Sequence, residues 1–340
     1  MALKSCLSFA VAFAVAGVAF SAVVPTATIA PGVHLPFLTM GGVNRTDYPF
    51  YPDYSNYTLW ASLGGTGFDT AWEYRTQAGV SRAMVASGVP REELFLTTKI
   101  PGSLHGGCCG CPGAGPPGTC LAKCHGVCFP ASGHYRASDA AAYIKKDLQI
   151  LKDNGVDYID LLLLHEPCDF LAPYPYNASA ETSAVYGAME AALLSEDPAM
   201  KGRIKAIGVS NFGVQQLKLL SQTNPRTVPA VNQCRMSLGE YDAETHAYCT
   251  KHGITYQAYS TLHGNIHDPV VESIAAKHNV SVVEVTMRWV TQLGVPIVTA
   301  SENPAHDLSD MSIFGFELSD EEMAALSKVG PSPKYELEKK

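Results

Sequence analysis

The chain has 340 residues, 46% of them hydrophobic and 16% charged, which suits one large buried core and excludes a disordered polypeptide. A formal net charge of -8 with no block of basic residues argues against a nucleic-acid partner.

The amino terminus reads as a targeting segment. Lys4 supplies a positive start, Leu7 to Val18 are apolar and small, and Ala19-Phe20-Ser21 offer small residues around a cleavage point, so residues 1–21 are read as a signal peptide. The competing reading is an uncleaved anchor, because apolar character continues to Val24 and nears the roughly 18 residues that span a bilayer. Sequons at Asn44, Asn56, Asn177 and Asn279 fit a secreted or lumenal glycoprotein, with a plastid reached through the secretory route as a further destination.

Residues 26–330 read as one domain. Thr26–Leu35 suggests a hairpin around Pro31-Gly32 that could plug the bottom of a barrel. Eight short apolar segments follow: Phe37–Met40, Gly67–Ala71, Leu94–Ile100, Tyr158–Leu164, Ala206–Ser210, Ala230–Gln233, Thr255–Tyr259 and Pro296–Thr299. Helical periodicity separates them, as at Ala78–Ser87, Ser138–Asn154, Thr182–Leu194, Val214–Ser221, Ala243–His252 and Val270–His278. In the second of these Ser138 can cap, Ile144, Leu148 and Leu151 share a face, and Asn154-Gly155 stops the helix. Ser319 and Glu322 are spaced as a capping box for a last helix. Alternating strands and helices in this number predict a (β/α)₈ TIM barrel, and no G-x-G-x-x-G supports a Rossmann site.

The longest interruption, residues 101–135, follows the third strand and so lies on the face where barrel active sites form. It holds Cys108, Cys109, Cys111, Cys120, Cys124 and Cys128 in a Gly/Pro-rich stretch. Disulfides are expected there. Zinc is the rival reading, but the Cys108-Cys109 pair does not match a C-x₂-C layout and the targeting segment implies an oxidising compartment. Cys168, Cys234 and Cys249 read as buried thiols. Residues 331–340 form a short charged tail.

Polar residues recur where the strands end. Asp69 and Tyr74 lie at or after the second, Lys99 ends the third, His165 the fourth, Ser210-Asn211 the fifth, Gln233 the sixth, Tyr259-Ser260 the seventh, and Ser301 follows the eighth. A lone His after a strand is usually structural, but several polar groups converging on one barrel end point to catalysis.

With Gly67-Phe68-Asp69-Thr70-Ala71 and Tyr74, Leu94 to Lys99, Tyr158 to His165, Lys205 to Phe212, Val231-Asn232-Gln233 and Ala258-Tyr259-Ser260 in this order, the chain resembles the aldo-keto reductase family from Gly32 to about Leu326. The resemblance implies hydride transfer from NADPH or NADH to an aldehyde or ketone. It implies Tyr74 as general acid, Lys99 as the cation lowering the phenol's pKa from about 10, Asp69 as the partner of Lys99, and His165 as the donor orienting the carbonyl. It also implies Ser210, Asn211 and Gln233 on the nicotinamide carboxamide, Tyr259 stacked on its ring, and Ser260 and Ser301 along phosphate and ribose. Read from the residues alone, Ser210-Asn211 could instead cap the following helix, and Asp69 with Lys99 could be a purely structural ion pair.

The chain departs from that family pattern in several places. Where many relatives grip a 2'-phosphate with Lys and Arg, it offers Ala300 and His306, with Glu302 nearby, which leaves the choice between NADPH and NADH open. Glu166 follows the histidine where many relatives carry Trp, and Glu73 precedes the tyrosine; both would either favour a charged His165 or simply face solvent. The cysteine-rich insertion would form a lid. No metal is expected, the partner is a small carbonyl substrate, and the mature chain reads as a monomer without membrane insertion. A non-catalytic nucleotide-binding sensor is the alternative function. A glycosidase would need two facing carboxylates at strand ends, where Asp69 is the one clear candidate.

Overall fold

Alternation along each apolar segment decides what the barrel buries and what it presents. The computed structural model describes residues 24–41, 55–74, 76–102, 137–168, 178–301 and 303–331. Its strands are β1 (Thr26–Ala30), β2 (Val33–Pro36), β3 (Leu38–Gly41), β4 (Gly67–Asp69), β5 (Phe95–Ile100), β6 (Ile159–Leu164), β7 (Ile204–Ser210), β8 (Val231–Ser237), β9 (Glu240–Tyr241), β10 (Thr255–Tyr259) and β11 (Ile297–Thr299). β1 and β2 form an antiparallel hairpin, and β3 to β8 with β10 and β11 pair in parallel, closed by β10 beside β8. This is the expected (β/α)₈ barrel.

The helices are α1 (Ser55–Ser62), α2 (Gln77–Ala86), α3 (Ala137–Asp153), α4 (Ala178–Leu193), α5 (Val214–Gln222), α6 (Ala243–Lys251), α7 (Pro269–His278), α8 (Val282–Gln292), α9 (Pro304–Ser312) and α10 (Asp320–Leu326). Helix α10 opens with the capping box of Ser319 and Glu322, as expected, and α8 opens with another made by Ser281 and Glu284. At the end of α3, Gly155 takes φ +86°, Val156 N–H donates to Leu151 O and Gly155 N–H to Lys152 O, the hydrogen bonds of a Schellman stop. The start of α3 differs from expectation. Ser138 lies inside the helix, and the Ala137 N–H donates at 2.9 Å to Glu181 Oε2, a carboxylate from the first turn of α4.

Strand ends also shift for local reasons. β4 stops at Asp69 because the chain turns into a one-turn 3₁₀ helix at Trp72–Tyr74, with Tyr74 N–H donating to Ala71 O. β8 runs on to Ser237 because Met236 and Ser237 pair with Tyr241 and Glu240 of β9.

Two apolar clusters follow from the alternation. Leu96, Ile100, Leu162, Leu164, Ile207 and Val209 face the helices, whereas Phe95, Leu161, Leu163, Ala206 and Val231 fill the lumen together with Val33 and Leu35 of the hairpin. The hairpin therefore plugs the amino end of the barrel. Leu35 is fully buried there, a burial worth roughly 1.5–3 kcal/mol.

Cys168, Cys234 and Cys249 are buried, and the latter two are free thiols. No helix of the described residues is long and apolar enough to cross a membrane. Residues 1–21, the cysteine cluster of the 101–135 insertion, Asn44, Asn177 and the tail beyond Pro331 lie outside the described residues.

Candidate active site

The register that fills the lumen with apolar side chains at one end delivers polar ones at the other. In β5, Thr98 points outward, its Oγ1 donating to Asp147 of α3 at 2.8 Å, so Lys99 points into the lumen. In β6, Leu163 faces inward, and the chain exits at His165 after Leu164. Ser210 and Gln233 stand opposite each other across β7 and β8, and Asp69 lies beside Thr97 across β4 and β5. Asp69, Tyr74, His165, Ser210, Asn211, Gln233, Tyr259 and Ser260 thereby line one cleft of about 330 Å³, at the low end of small-molecule sites.

Lys99 and Asp69 form a buried ion pair, each side chain no more than 3% exposed. The Lys99 ammonium donates to Asp69 Oδ1 and, at 3.1 Å, to Thr70 O. The other Asp69 oxygen accepts from Gln233 Nε2 at 2.9 Å, and the same amide donates to Gln257 Oε1. Lys99 Nζ sits 5.0 Å from the Tyr74 ring centre.

Here one expectation is reversed. Lys99 was expected to lower the Tyr74 pKa, but burial, followed by the charges of Asp69, Glu73 and Glu166, pushes it above the ordinary phenol value. Burial disfavours the charged phenolate, the ammonium is already matched by Asp69, and two further carboxylates stand nearby. Tyr74 is thus held as a neutral hydroxyl.

His165 joins that hydroxyl to the carboxylates. Its Nε2 is 3.3 Å from Tyr74 Oη, with the rings edge-on, and its Nδ1 is 2.9 Å from Glu73 Oε2 and 3.9 Å from Glu166 Oε2. Burial alone would lower its pKa, but the charge and hydrogen bond of Glu73, helped by Glu166 and opposed by Lys99, raise it. Glu73 and Glu166 thus both reach His165 and favour its charged form, one of the two settings the sequence left open for them, and Asp69 is not the one carboxylate at this end of the barrel. One polar atom from each of Glu73, His165 and Glu166 lies within 4.8 Å of the others, a grouping that could hold a metal ion. Hydrogen bonds within the group and to the Gly102 N–H already account for it.

The candidate cofactor residues tie the rim together. Ser210 Oγ donates to Gln233 O at 2.8 Å, Asn211 Nδ2 donates to His165 O at 2.9 Å, and Tyr259 Oη donates to Asn211 Oδ1 at 2.7 Å. Burial pushes the Tyr259 phenol up to about 12, which keeps it a donor. Neither Ser210 nor Asn211 caps the next helix, since Gly213 occupies that position. Asn211 and Ser260 both take positive φ, 62° and 55°, a left-handed conformation that is uncommon outside glycine and concentrates at functional turns.

Ser301 is not brought to the cleft wall. Its Oγ instead closes a local turn with Asn303, donating to the carbonyl at 3.1 Å and accepting from the N–H at 2.9 Å. The wall at this point is Gly41, Val298, Thr299 and Ala300, apolar or small residues that carried no chemical signal in the sequence.

Comparison with known proteins agrees with this geometry. The Aldo/keto reductase family model matches residues 53–331. An aldo-keto reductase of Mycolicibacterium paratuberculosis is 30% identical over 311 residues, covering 90% of each chain. Among solved structures, an aldo/keto reductase from Brucella melitensis superposes with a TM-score of 0.68 at 26% identity, covering 90% of this chain and 99% of that one. An aldo-keto reductase of the silkworm Bombyx mori, complexed with NADPH, gives 0.69 at 25% identity, covering 91% and 88%. The family model covers every barrel strand but the first, the relative and structural neighbours cover about nine-tenths of the chain, and the chain belongs to the aldo/keto reductase family of oxidoreductases.

Proposed function

We propose that this protein reduces an aldehyde or ketone to an alcohol using NADPH or NADH, with Tyr74 as the general acid. The observation that carries the reading is the convergence of Tyr74, Asp69, Lys99 and His165 from separate segments onto one cleft at the carboxyl ends of the strands. The silkworm structure supports a nicotinamide nucleotide as the cofactor. That cofactor, when bound, supplies the hydride.

The rest is done by the chain. Tyr74 Oη donates to the substrate carbonyl oxygen and releases its proton there as negative charge develops. Lys99, fixed by Asp69 and Thr70 O, places a positive charge under the phenol ring that stabilises the phenolate left behind. His165, its Nε2–H shared between Tyr74 Oη at 3.3 Å and the same oxygen, orients the carbonyl.

The rim residues are suited to a nicotinamide. Gln233 commits both Nε2 hydrogens within the barrel, which makes Oε1 its acceptor for a carboxamide. Tyr259, anchored through Asn211, offers a ring face for stacking. Ser260 in its left-handed turn offers hydrogen bonds to phosphate, and Ser301 to ribose once its turn opens.

The test is oxidation of NADPH and NADH, followed by absorbance, with a panel of aldehydes and ketones. Carbonyl-dependent consumption supports the reading. Tight nucleotide binding with no turnover on any substrate would instead establish the sensor function.

A further inference from the structure

The roles assigned above leave Glu73 and Glu166 without a task, although both carboxylates converge on one nitrogen of His165. A carboxylate only accepts, so the 2.9 Å contact with Glu73 Oε2 requires a hydrogen on Nδ1. Glu166 is itself fixed, because its Oε1 accepts from the Gly102 N–H at 3.1 Å. Gly102 can be no larger residue, since a Cβ there would fall 1.8 Å from Glu166 O. The chain exits after β5 and β6 are thus built against each other, with the imidazole between Glu166, Glu73 and Tyr74.

The charged and titratable groups that face the ring, among the described residues, come from every neighbouring element. Glu73 and Tyr74 belong to the 3₁₀ turn, Asp69 ends β4, Lys99 ends β5, Glu166 follows β6, and Tyr259 of β10 reaches His165 through Asn211. Lys99 opposes a charged ring, but its ammonium is tied to Asp69. Glu73 and Glu166 both set their charge against this ring, at 2.9 and 3.9 Å from Nδ1.

We propose that Glu73 is a positioning residue which, with Glu166, keeps His165 doubly protonated, its Nδ1–H on Glu73 and its Nε2–H directed at Tyr74 Oη. Proton bookkeeping then closes within the site. As NAD(P)H reduces the carbonyl carbon, Tyr74 Oη passes its proton to the carbonyl oxygen, and the phenolate takes the Nε2 proton across the 3.3 Å contact. His165 becomes neutral, retains Nδ1–H against Glu73 and recovers its proton from water. An imidazolium here offsets the negative surroundings of Tyr74 that the matched Lys99 leaves uncompensated.

The relay rests on the reductase reading, whereas the coupling of Glu73 to His165 does not, and two readouts separate them. The first is the NMR titration of the His165 ring proton, assigned with His165→Asn, in the full-length protein and in Glu73→Gln, Glu73→Asp and Glu166→Gln. The second is the pH profile of kcat and KM on an active carbonyl compound. Removing an opposite charge at this distance should move the His165 titration down by about one pH unit or more in Glu73→Gln. Glu166→Gln should move it less, and Glu73→Asp should restore part of the shift. The alkaline limb of kcat should move down with it, and KM should stay within about twofold. An unchanged titration and an unchanged limb in Glu73→Gln overturn the proposal. A shifted titration in a protein that turns over no carbonyl compound would support the coupling and defeat the reductase reading.

Discussion

Asp69 holds Lys99 with one carboxylate oxygen and Gln233 with the other, so the buried ammonium meets Tyr74 already paired. On the proposed mechanism the ion pair serves both the barrel's construction and its chemistry, and the two contributions can be measured separately. Lys99→Met leaves an uncompensated buried carboxylate and should cost about 3–5 kcal/mol of stability in urea unfolding, while Lys99→Met/Asp69→Asn should recover most of that loss. Activity should stay abolished in both. Recovery of activity in the double variant would make the pair dispensable for catalysis.

Cofactor choice is expected to be set near the exit of the last strand. Ala300 lines the cleft and is exposed, with no fixed cation at that position for a 2'-phosphate. Ala300→Lys should shift the ratio of kcat/KM for NADPH over NADH upwards by about tenfold, the effect of roughly 1.4 kcal/mol. An unaltered ratio would place the adenosine end of the cofactor elsewhere.

Glu322 caps α10 and accepts from Lys277 at 2.6 Å, His278 at 2.9 Å and the Ser319 N–H at 2.8 Å. Burial pushes its carboxyl up, but these partners outweigh it and hold the pKa down to about 2, from the 4.5 of a free glutamate. Because the folded value is the lower one, the stabilisation is complete above about pH 4.5 and is lost as pH falls towards 2. Lys277 is two-thirds exposed, so Glu322→Gln should cost only about 1–2 kcal/mol at pH 7. In thermal melts the gap from wild type should narrow between pH 5 and pH 3; a gap independent of pH would mean the capping geometry matters and the charge does not.

Asn279 is exposed at the left-handed end of α7 and belongs to an Asn-Val-Ser sequon. If the amino-terminal segment directs the chain into the secretory route, protein recovered from its native source should lose mass on treatment with an N-glycosidase, and Asn279→Gln should lose one glycan's share of that change. A mass matching the unprocessed polypeptide would refute the secretory assignment.

The barrel strands could be read from sequence because each is a short, near-continuous apolar run buried on both faces, and α10 because its capping box is local. Helix α8 was harder, since its opening Val282-Val283-Glu284-Val285 favours a strand by propensity and becomes helical under Ser281 and tertiary packing. Helix α1 is short, and Trp60 anchors it through a hydrogen bond to Gly67 O that no periodicity reveals. The strand-end positions of Asp69, Lys99 and His165 were legible for the same reason as the strands. The direction of the Tyr74 shift was not, because it depends first on how deeply the phenol is buried and then on how Asp69, Glu73 and Glu166 are placed around it. Ser301 lies off the cleft wall because nearness to β11 in sequence says nothing about the turn its side chain closes with Asn303.

The most direct test of the account is carbonyl-dependent oxidation of NADPH and NADH by wild type and Tyr74→Phe. Removing the general acid, with the ring retained, should lower kcat on the order of 10²–10⁴-fold while leaving nucleotide binding within about twofold. A Tyr74→Phe enzyme as fast as wild type would contradict the assignment of the proton to Tyr74.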